Sequence, residues 1–565
     1  MTRFPSICLL LVAVGVVASC GPTGEVPEAT PTPAVAATAP SAPEGPPLFI
    51  DVTAAAGLDF LHHPVRTEII AQGAGVIVFD YDGDGLDDIY LPDSSGPNAL
   101  FRNRGDGSFR DTAAAAGVDD PLGRGNGGCA ADFDNDGDQD LYVTNYGPSR
   151  LFVNGGDGAF DDQTAGAGLA DHDSTFRSTG CAWGDFDRDG LLDLVVVRHL
   201  HERELRMFQA EGFTNAVRSL ALYRNDGGGT FISRTWYLGD TSLPGSADDI
   251  GNLWGAGFQP GWLDYDNDGD LDLYVVNDYG PQVTPNVLWR NDGPGAGDAW
   301  SFVDVSAGSG AGVSMYGMGL AVGDYDGDGF FDMFVTNIGA NVLLRNGGEG
   351  RPFADVAADA GVAGGPVGDQ ERIAWGAVFF DYDNDADEDL YVVSGYIKQD
   401  PRQPDPPPEQ QRQPNLLLRN DGDGTFAEVS RGSGADDPGI GRGGVFLDFN
   451  DDGCLDLLVA NLGQRASLLQ NACDSGNSWL VVRPVGSSSN RDGIGTRITV
   501  VAGGTSQMRE ISSGRGAMGQ STRAAHFGMG RAATADLVLV RWPSGQVQTL
   551  TDVAANQRIT VTEPR

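Results

Sequence analysis

Histidine, cysteine and basic side chains are all scarce in this chain of 565 residues, which has 6 His, 6 Cys and 36 Lys plus Arg against 79 Asp plus Glu. The shortage of basic residues leaves a formal charge of −43. That excludes nucleic acid and anionic membrane surfaces as partners of the folded body. So few histidines leave little material for imidazole catalysis or a zinc centre. No cysteine has haem-attachment spacing, and neither a Gly-x-Ser-x-Gly elbow nor a phosphate loop is present, so no nucleophile assembles with a base. Long apolar runs are missing too: "ICLLLVAVGVVA", Ile7 to Ala18, is about half of what a membrane-spanning helix needs. What the chain has is aspartate, 82 glycines and a hydrophobic content of 40%, enough for a full core with many turns and few long helices.

Residues 1–19 read as a targeting segment and are excluded from the fold. The run ends in "VASC", which resembles the lipobox of bacterial lipoproteins and implies acylation of Cys20. An ordinary signal peptide cut nearby is the alternative. Acyl burial contributes about 0.8 kcal/mol per methylene, so two or three chains would anchor the protein stably. Gly21 follows in place of Asp, so the resemblance implies no inner-membrane retention signal. Residues 20–47, with "PEATPTPAVAATAPSAPEGPP", form a proline- and alanine-rich tether of up to about 80 Å. The expected location is exported, periplasmic or cell-surface, with the membrane reached through the lipid anchor alone.

From Leu48 an internal repeat governs the sequence. Acidic motifs such as "DYDGDGLDDIY" and "DFDNDGDQDLY" begin at Asp80, Asp132, Asp185, Asp264, Asp324, Asp381 and Asp448, 52 to 79 residues apart. Each has a strand-like apolar run before it ("GVIVF", "GAVFF") and another after it ("LYVTN", "LLVAN"). A third run ("NALFRN", "NVLWRN"), a Gly-Asp-Gly turn and a fourth run follow. Four strands in each of seven units predict an all-β fold, a seven-bladed β-propeller over residues 48–475. Blade seven supplies only three strands, ending at "SLLQN", so Phe49 to Val52 is expected to complete it and close the ring. Six or eight blades, or an open solenoid, are the alternatives.

Within each loop, counting its first Asp as position one, carboxylates at positions one, three, five and nine converge, position six is the turn glycine and position seven offers a carbonyl. Oxygen-only ligands at this density suit calcium before magnesium. An EF-hand needs Glu at position twelve, where Leu91, Val143, Val196, Val275, Val335, Val392 and Val459 stand instead. The expected ligands are Asp80, Asp82, Asp84 and Asp88; Asp132, Asp134, Asp136 and Asp140; Asp185, Asp187, Asp189 and Asp193; and Asp264, Asp266, Asp268 and Asp272. Asp324, Asp326, Asp328 and Asp332 follow, then Asp381, Asp383, Asp385 and Asp389, and Asp448, Asn450, Asp452 and Asp456. Ala386 replaces the turn glycine of blade six, which makes that site the weakest. Seven calcium ions would take the charge from −43 to about −29 and, at millimolar calcium, add about 1.4 kcal/mol each.

The motif, its strand context and the "GDGxF" turns resemble the FG-GAP or VCBS repeats of integrin alpha-subunit propellers. Residues 476–565, with "NSWLVVRPVG", "DGIGTRITVVAGG", "HFGMG" and "LVLVRWPSGQVQTL", resemble the ASPIC/UnbV domain that follows such a propeller in the cartilage acidic protein family. Alternating runs make this a small C-terminal β domain, and the resemblance implies no biochemical activity for it. "GRGAMGQST" departs where an aromatic is expected near Met518.

The favoured function is a binding or adhesion scaffold for a protein or glycan. A propeller enzyme, a quinoprotein-like dehydrogenase or a polysaccharide-degrading protein, is the alternative. His199 and His201, with Glu202 and Glu204, could form a metal or acid/base site, but a charged helical excursion packing Leu205 and Phe208 fits "RHLHERELRMF" better. Of the four remaining cysteines, Cys454 and Cys473 are expected to pair. Cys129 and Cys181 lie three and four residues before their motifs, on opposite strand faces without a bulge, and read as buried thiols.

Overall fold

The computed structural model describes residues 48–63, 73–170, 177–199, 220–238, 255–295, 300–397, 407, 411–473 and 475–565. The readings placed on 1–47 (signal segment, Cys20 and tether) and on His201, Glu202, Glu204, Leu205 and Phe208 lie outside them. Among the described residues no helix is long and apolar enough to cross a membrane.

Short β-rich runs punctuated by glycine turns give sheets of mostly three- to eight-residue strands. Seven of these sheets are four-stranded antiparallel meanders, each built around one acidic motif. The first holds Ile77–Phe79, Asp88–Leu91, Ala99–Asn103 and Phe109–Asp111, and the second Gly125–Ala131, Asp140–Asn145, Arg150–Asn154 and Phe160–Asp162. The seventh takes Gly441–Leu447, Asp456–Asn461 and Ser467–Asn471 from one end of the sequence and Phe49–Asp51 from the other, with Phe49 opposite Asn471. The first strand of every sheet touches the first strand of the next, and the seventh touches the first, so these strands surround a common axis. The fold is a β-propeller followed by a small β domain.

A repeated polar stitch joins neighbouring sheets. An asparagine stands at or near the end of each third strand: Asn103, Asn154, Asn225, Asn291, Asn346, Asn420 or Asn471. Its Nδ2 donates to a backbone carbonyl at loop position two of the preceding sheet, on Phe449, Tyr81, Phe133, Phe186, Tyr265, Tyr325 and Tyr382 in turn, at 2.7–2.9 Å. Asn103 reaches back to the seventh sheet and closes the circle. Each asparagine is placed by the aspartate at loop position nine, whose Oδ1 accepts the asparagine backbone N–H at 2.7–2.8 Å. These polar groups lie between apolar layers and are buried, so each unmade bond would carry its full desolvation cost.

The C-terminal domain has a three-stranded sheet around Trp479–Val485 and a four-stranded one around Arg497–Ala502 and Thr534–Arg541. Its core is continuous with the propeller: Leu480, Val482, Ile498 and Phe527 share one cluster with Phe133, Trp183 and Leu192. Residues 514–520 leave the domain and enter the axis. Gly516 exchanges both backbone hydrogen bonds with Leu320, Gln520 does so with Val76 and Val78, and Met518 N–H donates to Gln259 Oε1 at 2.8 Å. Met518 is fully buried among Phe258, Met318, Ile373 and Trp375. A Cβ on Gly75 or Gly127 would lie 2.3 Å from the Met518 carbonyl oxygen, so only glycine admits the plug there.

Two disulfides are present. Cys454–Cys473 spans the pair expected from the sequence, with Cα atoms 5.8 Å apart. Cys129 and Cys181 are also bonded, at 5.9 Å, which corrects their assignment as thiols. They sit on facing inner strands of adjacent sheets, and Arg177–Gly184 carries a register shift between Ser178 and Cys181. The alternation rule within one flat strand therefore does not govern where they point.

Asn154→Ala would strip the Tyr81 and Gln139 carbonyls of their shared donor. We expect a loss of about 2–4 kcal/mol of stability, read by chemical denaturation; a loss below about 0.5 kcal/mol would show that the stitch is energetically idle.

Candidate metal sites and the domain interface

Each acidic loop joins the first strand of its sheet to the second, and its backbone conformation repeats. Position four is left-handed in every copy (Gly83, Asn135, Arg188, Asn267, Gly327, Asn384 and Asp451), and so is position six. Glycine holds position six at φ from +84° to +111° in six loops. In the sixth blade Ala386 is held at +91°, where its Cβ strains the turn.

The aspartate at position one accepts the backbone N–H of position six, for instance Gly85 to Asp80 at 3.0 Å and Gly453 to Asp448 at 2.8 Å. Position five accepts from position seven, as Leu86 donates to Asp84 at 3.0 Å. Position nine accepts the N–H of position two through Oδ2 in six of the loops, as Tyr81 does to Asp88 at 3.1 Å. The turn thus draws the carboxylates inward. Asp80, Asp82 and Asp88 place one oxygen each within 4.8 Å of one another, as do Asp132, Asp134 and Asp136; Asp185, Asp187 and Asp193; and Asp264, Asp266 and Asp272. These clusters could hold a metal ion. Asp84, Asp189 and Asp268 fall outside their trios, and so does Asp140.

Burial makes these groups costly to charge. It pushes the Asp88 carboxyl up to about 8 and the Asp140 carboxyl up to about 9, against backbone N–H bonds that favour the ionised form. Asp193, Asp272, Asp332 and Asp456 are driven well above the ordinary carboxylate range, again mainly by burial. At position one, Asp132 rises to about 6 and Asp185, Asp264 and Asp324 to about 7 for the same first cause.

The C-terminal domain covers the face that carries these loops. Arg497 Nη2 pairs with Asp264 Oδ2 at 3.0 Å, Arg558 Nη2 with Asp448 Oδ2 at 2.5 Å and Arg483 Nη1 with Asp80 Oδ2 at 3.4 Å. Arg491 stands 3.8 Å from Asp132. Position eight also faces the domain: Glu388 pairs with Arg509 at 3.2 Å, and Leu192 joins the shared core. Three of these arginines (Arg483, Arg491 and Arg558), together with Arg523, line a cleft of about 440 Å³ against the loops of blades seven, one and two.

His199 ends a buried strand with Nε2 3.1 Å from Asp278 Oδ2. The sequence reading missed the asparagine stitch, although "RN", "VN" or "QN" recurs in or beside every third strand. It also gave no role to the axial segment.

Ala386→Gly should relieve the left-handed turn and raise stability by about 1 kcal/mol, measured by denaturant unfolding with and without metal; destabilisation would show that the methyl group packs usefully. The pH response of chelator-treated protein follows from the raised carboxyls. Their folded values exceed the unfolded value of about 4, so their stabilising contribution is complete below that pH and is lost as pH rises through 8 to 9. Melting temperature should therefore fall between pH 6.5 and pH 9; an unchanged value would show that the carboxylates are already ionised in the fold.

Residues 486–565 match the ASPIC and UnbV family model, and residues 80–143, 132–196 and 264–335 match the FG-GAP-like repeat. Cartilage acidic protein 1 of Mus musculus is 26% identical over 505 residues, spanning 84% of this chain and 71% of that protein. The Homo sapiens protein of the same name is 48% identical over 82 residues, 14% of this chain and 12% of its own length. Among solved structures, the BP39L lectin from Burkholderia pseudomallei aligns with a TM-score of 0.42 and 11% identity over 70% of this chain and 95% of that one. The chain thus carries FG-GAP-like repeats followed by a C-terminal ASPIC/UnbV domain, and it is similar to cartilage acidic protein 1 over most of its length.

Proposed function

We propose that this protein is an exported, calcium-binding propeller that serves as a binding scaffold for a protein or glycan and is held at a membrane through an acylated Cys20. The observation that carries the metal assignment is a set of buried carboxylate oxygens without a hydrogen bond. They are Oδ1 of Asp82, Asp187, Asp266, Asp326 and Asp383 at position three, Oδ1 of Asp80 and Asp132 at position one, and Oδ2 of Asp326 and Asp332, with Asn450 Oδ1 in the seventh loop. Burying such an oxygen unpaired is costly. A hard cation taking six to eight oxygens, some from backbone or water, would satisfy them, and the flexible cage suits calcium. Up to seven ions would bind, each held by positions one, three, five and nine.

The scaffold reading is supported by what fills the axis. A propeller enzyme would converge reactive groups there, whereas the axis holds Met518 among Phe258, Met318, Ile373 and Trp375. With the acidic-loop face taken by the C-terminal domain, the outer rim and the opposite face are left for a partner.

Calcium stoichiometry on the protein from Gly21 onward, paired with thermal melts before and after chelation, tests the metal assignment. Six or seven ions and a large drop in melting temperature are expected. Zero or one ion with no shift would return the loops to ordinary acidic turns. In the double variant Asp132→Asn, Asp134→Asn the count should fall by one.

A further inference from the structure

The residue before the stitching asparagine is arginine in five repeats, namely Arg102, Arg224, Arg290, Arg345 and Arg419, but Val153 in the second and Gln470 in the seventh. The buried aspartate at position nine fixes the end of the third strand beside the loop, so the side chain one residue earlier stands next to positions three and five. In blades one, three and five the guanidinium straddles them. Arg224 Nε lies 2.5 Å from Asp187 Oδ2 and its Nη2 2.7 Å from Asp189 Oδ2. Arg345 repeats this with Asp326 at 2.5 Å and Asp328 at 3.7 Å, and Arg102 with Asp82 and, at 3.3 Å, Asp84. In blades four and six the turn offers a nearer carboxylate, and the arginine takes it: Arg290 pairs with Asp292 at 2.6 Å and Arg419 with Asp421 at 2.7 Å.

The straddling arginine does not fill the cage. It pairs with Oδ2 of the position-three carboxylate, while Oδ1 of Asp82 and Asp187 and both oxygens of Asp326 stay buried without a hydrogen bond. The guanidinium lies outside and holds the carboxylate from behind, as an outer partner orients a metal ligand. It also neutralises part of the mutual repulsion of the loop.

Blade two has neither a strand arginine nor a straddled pair. Among the described residues neither Asp134 nor Asp136 has a basic partner, and the only one at Asp132 is the half-exposed Arg491 at 3.8 Å. Blade seven also lacks the strand arginine, but Arg558 of the C-terminal domain pairs with its Asp448 and Asp451.

We propose that the arginines of blades one, three and five are built-in counter-ions that keep their loops in ligating geometry without metal, and that the loop of blade two, which has no strand arginine, depends on the cation for that geometry. This rests on the loops being cation sites. Calcium depletion would then loosen the ring at residues 132–140 before 80–88, 185–193 and 324–332, a graded response rather than a collective one.

Hydrogen exchange of the full-length protein, in millimolar calcium and in excess chelator, tests the proposal. Chelation should speed exchange of residues 132–140 about tenfold or more, and of 80–88, 185–193 and 324–332 by less than about threefold, since a charge-assisted contact is worth about a factor of ten. Arg345→Gln, at an exposed position, should make residues 324–332 respond as blade two does, and Val153→Arg should make residues 132–140 resist chelation. Equal loosening of all loops in the parent protein, or an unaltered response in Arg345→Gln, would overturn the proposal. Failure of the cation assignment would look different: no bound calcium by elemental analysis and no loop sensitive to chelator. In that case Arg345→Gln still speeds exchange at 324–332 if the counter-ion role holds, and leaves it unchanged if it does not.

Discussion

The buried aspartate at loop position nine is the constraint on which the rest of the ring depends. One oxygen accepts the N–H of the asparagine that ends the third strand, and in six loops the other holds the start of the loop. The asparagine then reaches the preceding sheet. A single side chain thus sets the loop, the sheet and the next sheet over, and seven such links form a closed circle. The cost is a carboxylate placed where water does not reach, with its proton affinity raised accordingly. Architecture and ion chemistry share these residues, so neutralising the loops and stabilising the ring are one problem.

The C-terminal domain belongs to the solution of that problem. Its arginines stand over the first aspartates of four loops, its apolar strands share a core with blades two and three, and its segment 514–520 fills the axis. A detachable module would show a polar face toward the propeller, whereas Leu480, Val482 and Phe527 are fully buried or nearly so. The acidic loops are therefore an internal interface. The departure from the expected aromatic at Met518 gains a physical sense here: an unbranched, adaptable side chain suits a narrow channel lined by Phe258, Met318 and Trp375.

The sequence by itself determined the repeat, the loops and the closing strand, because each is encoded within a dozen consecutive residues: alternating apolar runs, carboxylates at fixed offsets, glycine at position six. The pairing of Phe49–Asp51 with Ser467–Asn471 followed from counting strands per unit. Only the tertiary structure decided what depends on neighbouring sheets. The stitching asparagines sit 14 to 32 residues beyond their aspartates, as Asn154 and Asn225 do, so no fixed spacing advertises them. Cys129 and Cys181 meet across two blades, Arg224 and Arg345 fold back onto loops that precede them, and Met518 enters an axis that exists only once the ring is closed. Local periodicity specifies which strands form; which side chains then share a buried site is set by how the strands curl around one centre.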